Sequence, residues 1–139
     1  AAVPVARNGG RMTRTFLRGI GPAIWRYALP LPPSLNGAYA TVMRGKTPLR
    51  VPSAGLAKFK RDAARALLAQ KRPADPLRGK VQITLRIERT RGDLDNRIKA
   101  ILDALKDARV IADDRQVEQI DVAWCDVTEG AIATVEARG

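Results

Sequence analysis

Residues 80–88, KVQITLRIE, alternate strictly: Val81, Ile83, Leu85 and Ile87 fall on one side, Gln82, Thr84, Arg86 and Glu88 on the other. A period of two marks a strand with one face in a core. It commits the chain to a sheet that amphipathic helices must cover, and two segments can do so. Ser53 is a suitable N-cap for a helix through about Gln70, with Leu56, Phe59, Ala63 and Leu67 along one face. After the turn at Arg91-Gly92 a second helix is expected from about Leu94 to Ala108, with Ile98, Ile101, Leu102 and Leu105 as its core stripe.

Three more strands complete the reading. IWRYAL, residues 24–29, has strand composition and ends at PLPPS, where three prolines forbid a regular ladder. Residues 117–125 place Ile120, Val122 and Trp124 on one face, and TEG at 128–130 turns the chain into a last strand, 131–137. Trp25, Tyr27, Trp124 and Cys125 are read as packing residues. Residues 37–52, with Gly, Pro and basic residues, read as a mobile loop, and residues 1–22 as a flexible basic leader. The expected fold is α/β mixed (α+β), a single domain over 23–139 in the order β-α-β-α-β-β. Two strand–helix–strand crossovers and a final hairpin give a mixed sheet with two helices packed on it.

Composition removes several chemistries. There is no His, so an imidazole base or a Ser-His triad is excluded, and a zinc site is improbable with Cys125 alone. One Cys cannot form an internal disulfide, which suits a reducing cytosol. No apolar run approaches the ~20 residues of a membrane helix. The 139 residues carry a net charge of +11, all of it from residues 1–61, which hold eleven Lys or Arg and no Asp or Glu. A field of that sign attracts polyanions, and nucleic acid is favoured over a membrane because no segment forms a strong amphipathic anchor. With aromatics at 4%, base stacking along a single strand is poorly supported.

Against this basic background, six acids gather between residues 93 and 114 in RGDLDNRIKAILDALKDARVIADDRQV, residues 91–117. Helix-end electrostatics explains Asp93 and Asp95 at a helix entrance, at about 0.3 to 1 kcal/mol each. Lys99, four residues after Asp95, is spaced for a helix ion pair, and Asp103 continues the stripe. Asp113 and Asp114 follow the helix, where cations would suit better. Asp93-Leu94-Asp95-Asn96 concentrates oxygen ligands of the kind Mg²⁺ or Mn²⁺ prefers. Carboxylate-held metal can activate water and clamp a scissile phosphate without any His. The two acid pairs meet within one chain only if the segment after Ala108 doubles back toward the helix start.

GDLDNRIKAILDAL followed by IADDRQV, with LPLPPSLN upstream, resembles the RusA-type Holliday junction resolvases over roughly residues 24–137. The resemblance implies a small dimeric α/β endonuclease that binds four-way DNA junctions and makes paired symmetric nicks with Mg²⁺, Mn²⁺ being a possible substitute. It carries the metal-binding acids to Asp93, Asp95 and Asp114 and the catalytic lysine to Lys99, with Asn96 and Asp113 in supporting positions. It further implies a homodimer acting in DNA recombination and repair, cytoplasmic and nucleoid-associated, bacterial or phage-encoded, with no membrane partner and no nicotinamide or flavin. Arg44, Lys46, Arg50, Lys58, Lys60 and Arg61 are the leading phosphate contacts, together with Arg89 and Arg91 beside the acids. The alternative is a non-catalytic basic nucleic-acid-binding protein whose acids are structural.

Overall fold

The computed structural model describes residues 23–34 and 39–138. The leader at 1–22 and the Leu35-Asn36 end of LPLPPSLN lie outside the described residues. Among these, the elements run β1 (Ile24–Leu29), β2 (Tyr39–Arg44), β3 (Thr47–Pro52), α1 (Ala54–Leu68), β4 (Val81–Glu88), α2 (Ile98–Asp107), β5 (Val117–Cys125) and β6 (Ala131–Ala137). The mixed fold class is as expected, and the differences lie in connectivity.

The alternation at 80–88 is realised in full. Val81, Ile83, Leu85 and Ile87 have no exposed surface, while their neighbours are half-buried. Each such side chain contributes roughly 1.5 to 3 kcal/mol through removal from water. Ser53 caps α1 by accepting the Leu56 amide at 3.3 Å, and the buried residues of α1 are Leu56, Phe59, Ala63 and Leu67. Both helices and Tyr27, Leu29, Ala131, Ala133 and Val135 complete one continuous core.

The sheet order is β1-β6-β4-β5, with β4 and β5 parallel and β6 antiparallel to both β1 and β4. This corrects the final hairpin. The chain leaves β5, steps over the end of β4 and inserts β6 between β4 and β1. The step is pinned by Arg89 N–H to the Cys125 carbonyl (3.3 Å) and Glu88 N–H to the Gly130 carbonyl (2.8 Å). Gly130 has φ 72°, and a Cβ there would strike the Leu29 carbonyl oxygen, so glycine is required. Burial explains the order: β6 buries alternate residues as an interior strand must, whereas β5 is exposed from Glu118 to Asp121 and serves as the edge. Ile120, expected on the buried face, is 36% exposed at that edge, while Val122 and Trp124 do pack on the core.

The second correction concerns residues 37–52. From Tyr39 to Pro52 the chain forms a two-stranded ribbon, not a loop, and the element order becomes β-β-β-α-β-α-β-β. Gly45, at φ 62°, occupies the first central position of the two-residue turn, where a type II′ hairpin takes glycine.

α2 ends in a paired C-terminal motif, with Val110 N–H on the Leu105 carbonyl at 2.9 Å and Arg109 N–H on that of Lys106 at 3.0 Å. Arg109 takes the left-handed position, φ 64°, where glycine is usual. The turn sends Val110 and Ile111 straight into the core.

Candidate functional site

β4 delivers the chain to a loop at 89–94, and a 3-10 turn, Asp95–Arg97, precedes α2. The residue that shapes this loop is Arg97. Its side chain is only 7% exposed; it donates to the Pro32 carbonyl and to the Arg91 carbonyl, each at 2.6 Å, and lies 5.8 Å from the centre of the Trp124 ring. One buried cation thus ties together the acidic loop, the proline segment after β1, and β5. Sequence reasoning gave Arg97 no role, since an isolated Arg beside acids ordinarily reads as solvated. The available signal was its place four residues before Ile101, on the apolar face.

With the loop fixed from below, Asp93 and Asp95 are exposed. Neither acts as a helix cap: the turn and α2 both begin without a side-chain cap hydrogen bond. The Asp93 carboxylate receives only a long contact from the Asn96 amide, 3.4 Å, and the Asp95 carboxylate has no hydrogen bond or ion pair among the described residues. The spacing expected to join Asp95 to Lys99 is not used. Asp95 belongs to a 3-10 turn, whose three-residue period rotates it off the stripe that Lys99 begins.

Lys99 instead reaches forward. Its ammonium lies 3.1 Å from Asp103, one α-helical turn on, and 2.7 Å from Asp114. Hydrogen bonds that it donates to Asp114 first, then Asp103, hold its pKa above the ordinary lysine value, so it is a cation at neutral pH. Asp114 opens a 3-10 turn, Asp114–Gln116, capped by Asp113: the Asp113 carboxylate accepts the Arg115 amide at 3.0 Å, and Gln116 Oε1 accepts the Asp113 amide at 2.7 Å. The Arg115 amide, then its guanidinium, hold the Asp113 carboxyl well below the usual carboxylate range. Gln116 also donates to the carbonyls of Leu77 (2.8 Å) and Gly79 (2.7 Å), fastening this turn to the chain before β4. Asp113, expected in a supporting position, therefore caps this turn.

Asp114 returns as far as Lys99, the second residue of α2. β5 is parallel to β4, and its first residue, Val117, pairs with the first residue of β4, Val81, whereas Asp93 lies beyond the last. Asp114 meets α2 at the level of Lys99 and Asp103. Among the described residues no three acids stand close enough to hold a metal ion together. The donor chemistry of Asp93 and Asp95 nonetheless fits Mg²⁺, which keeps several waters and is commonly held by one or two carboxylates plus substrate phosphates.

The predicted phosphate contacts fall into two regions. Arg44, Lys46 and Arg50 are on the β2–β3 ribbon and Lys58, Lys60 and Arg61 on the first half of α1, all exposed. Lys58 and Arg61 flank Asp62, at 2.6 and 3.6 Å. Arg89 and Arg91 border the acidic loop, and Arg89 pairs with Asp126 at 2.6 Å.

The family model for endodeoxyribonuclease RusA matches residues 30–136, which takes in the proline segment, the ribbon, both helices and both acid pairs. The chain belongs to the RusA endodeoxyribonuclease family. It is a nuclease, which sets aside the purely DNA-binding alternative, and family membership carries DNA binding and junction resolution with it. A search of curated proteins finds none that matches the chain. No helix among the described residues is long and apolar enough to cross a membrane.

Proposed function

We propose that this RusA-family protein resolves four-way DNA junctions in recombination and repair, making paired symmetric nicks as a homodimer with Mg²⁺. The observation that carries the reading is the state of Asp93 and Asp95: two exposed carboxylates on a buttressed loop, without a cationic partner among the described residues, in a chain of net charge +11. Repulsion between them is relieved once a cation arrives together with DNA phosphate.

In this reading Asp93 and Asp95 hold the ion and Asn96 steadies Asp93. The ion, when bound, activates water and neutralises the scissile phosphate. Asp114 of the same chain is engaged by Lys99 and forms no three-acid group with Asp93 and Asp95 among the described residues, so in this reading Asp114 reaches the ion from the second copy. Two nicks in one junction require two such sites, which a C2 dimer supplies. Lys99, held as an ammonium, stabilises the charge that grows on phosphorus-bound oxygen in the transition state. Arg44, Lys46, Arg50, Lys60 and Arg91 bind phosphates, so affinity falls steeply with salt and shape outweighs base sequence.

The deciding experiment is Asp95→Asn with a labelled junction in Mg²⁺. Cleavage is lost and junction binding survives; cutting retained by this variant would remove the metal role assigned to Asp95.

A further inference from the structure

Residues 39–52 form a ribbon that the main sheet does not use. β2 and β3 pair with each other, and every position from 40 to 48 is exposed. Such a ribbon is at best marginally stable by itself. Here it also leaves Val42 43% exposed and Met43 62% exposed, beside Arg44, Lys46 and Arg50 and with no acid in the segment. The register sets Met43 opposite Pro48 and Thr41 opposite Arg50, so one face presents apolar surface and a cation side by side.

The base of the ribbon is anchored near the acidic loop. Pro52 leads directly into Ser53, the cap of α1. Gly55, Lys58 and Phe59 in the first turns of α1 line a cavity of about 100 Å³ with Pro30, Leu31 and Pro33. Pro32 in that same segment receives Arg97. The ribbon, the proline segment and the acidic loop are therefore joined through continuous contacts.

We propose that the β2–β3 ribbon probes branched DNA, its cations following the phosphates while Met43 packs against base faces laid open where the arms of a junction meet. The proposal deepens the junction-resolving reading and rests on it. In a continuous duplex an apolar side chain must unstack a base step before it can enter. At a branch point the stacks already end, so the same contact costs least there. Cations alone bind duplex and junction by the same phosphate attraction, so an exposed apolar residue between them is what can tell the two apart. A surplus of three positive charges over residues 39–52 suits a polyanion and not an apolar protein partner.

The test uses the full chain in Mg²⁺-free buffer, with a four-way junction carrying 2-aminopurine beside the branch and a duplex carrying the same label. Wild type raises the fluorescence of the junction about twofold and leaves the duplex unchanged. Met43→Ser abolishes that rise and lowers the preference for junction over duplex about tenfold, and Met43→Leu restores both. Met43 lies outside the core, so thermal melting of the variants stays at the wild-type value. Arg44→Ala and Lys46→Ala weaken both DNAs alike. A Met43→Ser protein with unchanged fluorescence and preference overturns the proposal, as does an equal loss of affinity for junction and duplex. Nicking in Mg²⁺ is scored separately. Failure of wild type to nick, with a Met43-dependent signal, overturns the nuclease reading of the site and upholds the probe. Normal nicking with a signal indifferent to Met43 overturns the probe alone.

Discussion

Asp93 and Asp95 precede α2 by a few residues, and Asp113 and Asp114 follow it by a few, yet their carboxylates have opposite surroundings. The first pair stands where helix electrostatics welcomes acids and makes no cap bond. The second stands where a helix end repels acids, and both its members are engaged: Asp113 caps a new turn and Asp114 pairs with Lys99. The pair that looked structurally explained is thus chemically available, and the pair that looked anomalous is structurally used. An acid's value to chemistry lies in what its neighbours leave undone, and position along a helix does not report that.

The sharpest way to break this contrast is to neutralise one member of each pair. Asp95→Asn is expected to lower junction cleavage at least ~10²-fold, the scale of losing one group that acts on the transition state. Asp113→Ala leaves the rate within about threefold, since its carboxylate serves the fold; equal losses in the two would erase the distinction. Next in size is Lys99→Ala, expected to reduce turnover by roughly 10²-fold while junction affinity changes little. A matching loss in affinity and turnover would reduce Lys99 to a phosphate anchor.

Stability effects sharpen the comparison further. Arg97→Ala leaves the Pro32 and Arg91 carbonyls without their charged donor and should cost about 3 kcal/mol in urea unfolding. Arg97→Lys does not recover it, because one ammonium cannot span two carbonyls as the planar fork does. Arg109→Gly relieves a left-handed residue in the turn that redirects the chain toward Asp113, with an expected gain of about 1 kcal/mol. The smallest effect concerns pH. Asp113 is held below the ordinary carboxylate range, so its contribution is complete above the unfolded value of about 4 and fades as pH falls. Wild type and Asp113→Ala should therefore differ in urea midpoint at pH 7 and converge in acid.

What could be read in advance follows the same logic. Val81 to Ile87 and the Leu56-Phe59-Ala63-Leu67 face were legible because burial imposes a period on the chain. The ribbon was not, because neither of its strands is buried on a face and Pro48 and Pro52 argue against strands. The position of β6 was hidden by the usual adjacency of consecutive strands. Asp113 was partly legible, since Asp-Asp-Arg-Gln has the spacing of a capping box. Asp93 and Asp95 were found by residue chemistry, but their freedom depends on Arg97, whose burial involves a carbonyl 65 residues away. No local pattern records that.

The insertion of β6 between β1 and β4 has a consequence for the birth of the protein. The strand that joins the two halves of the sheet comes last of the six, so a ribosome-bound chain that has emitted everything through β5 still has β1 unpaired. Sheet closure joins segments more than a hundred residues apart, the kind of contact that slows folding. The acidic loop is held through Arg97 to Pro32, just after β1, so its setting shares in this late joining of β1 to the rest of the sheet.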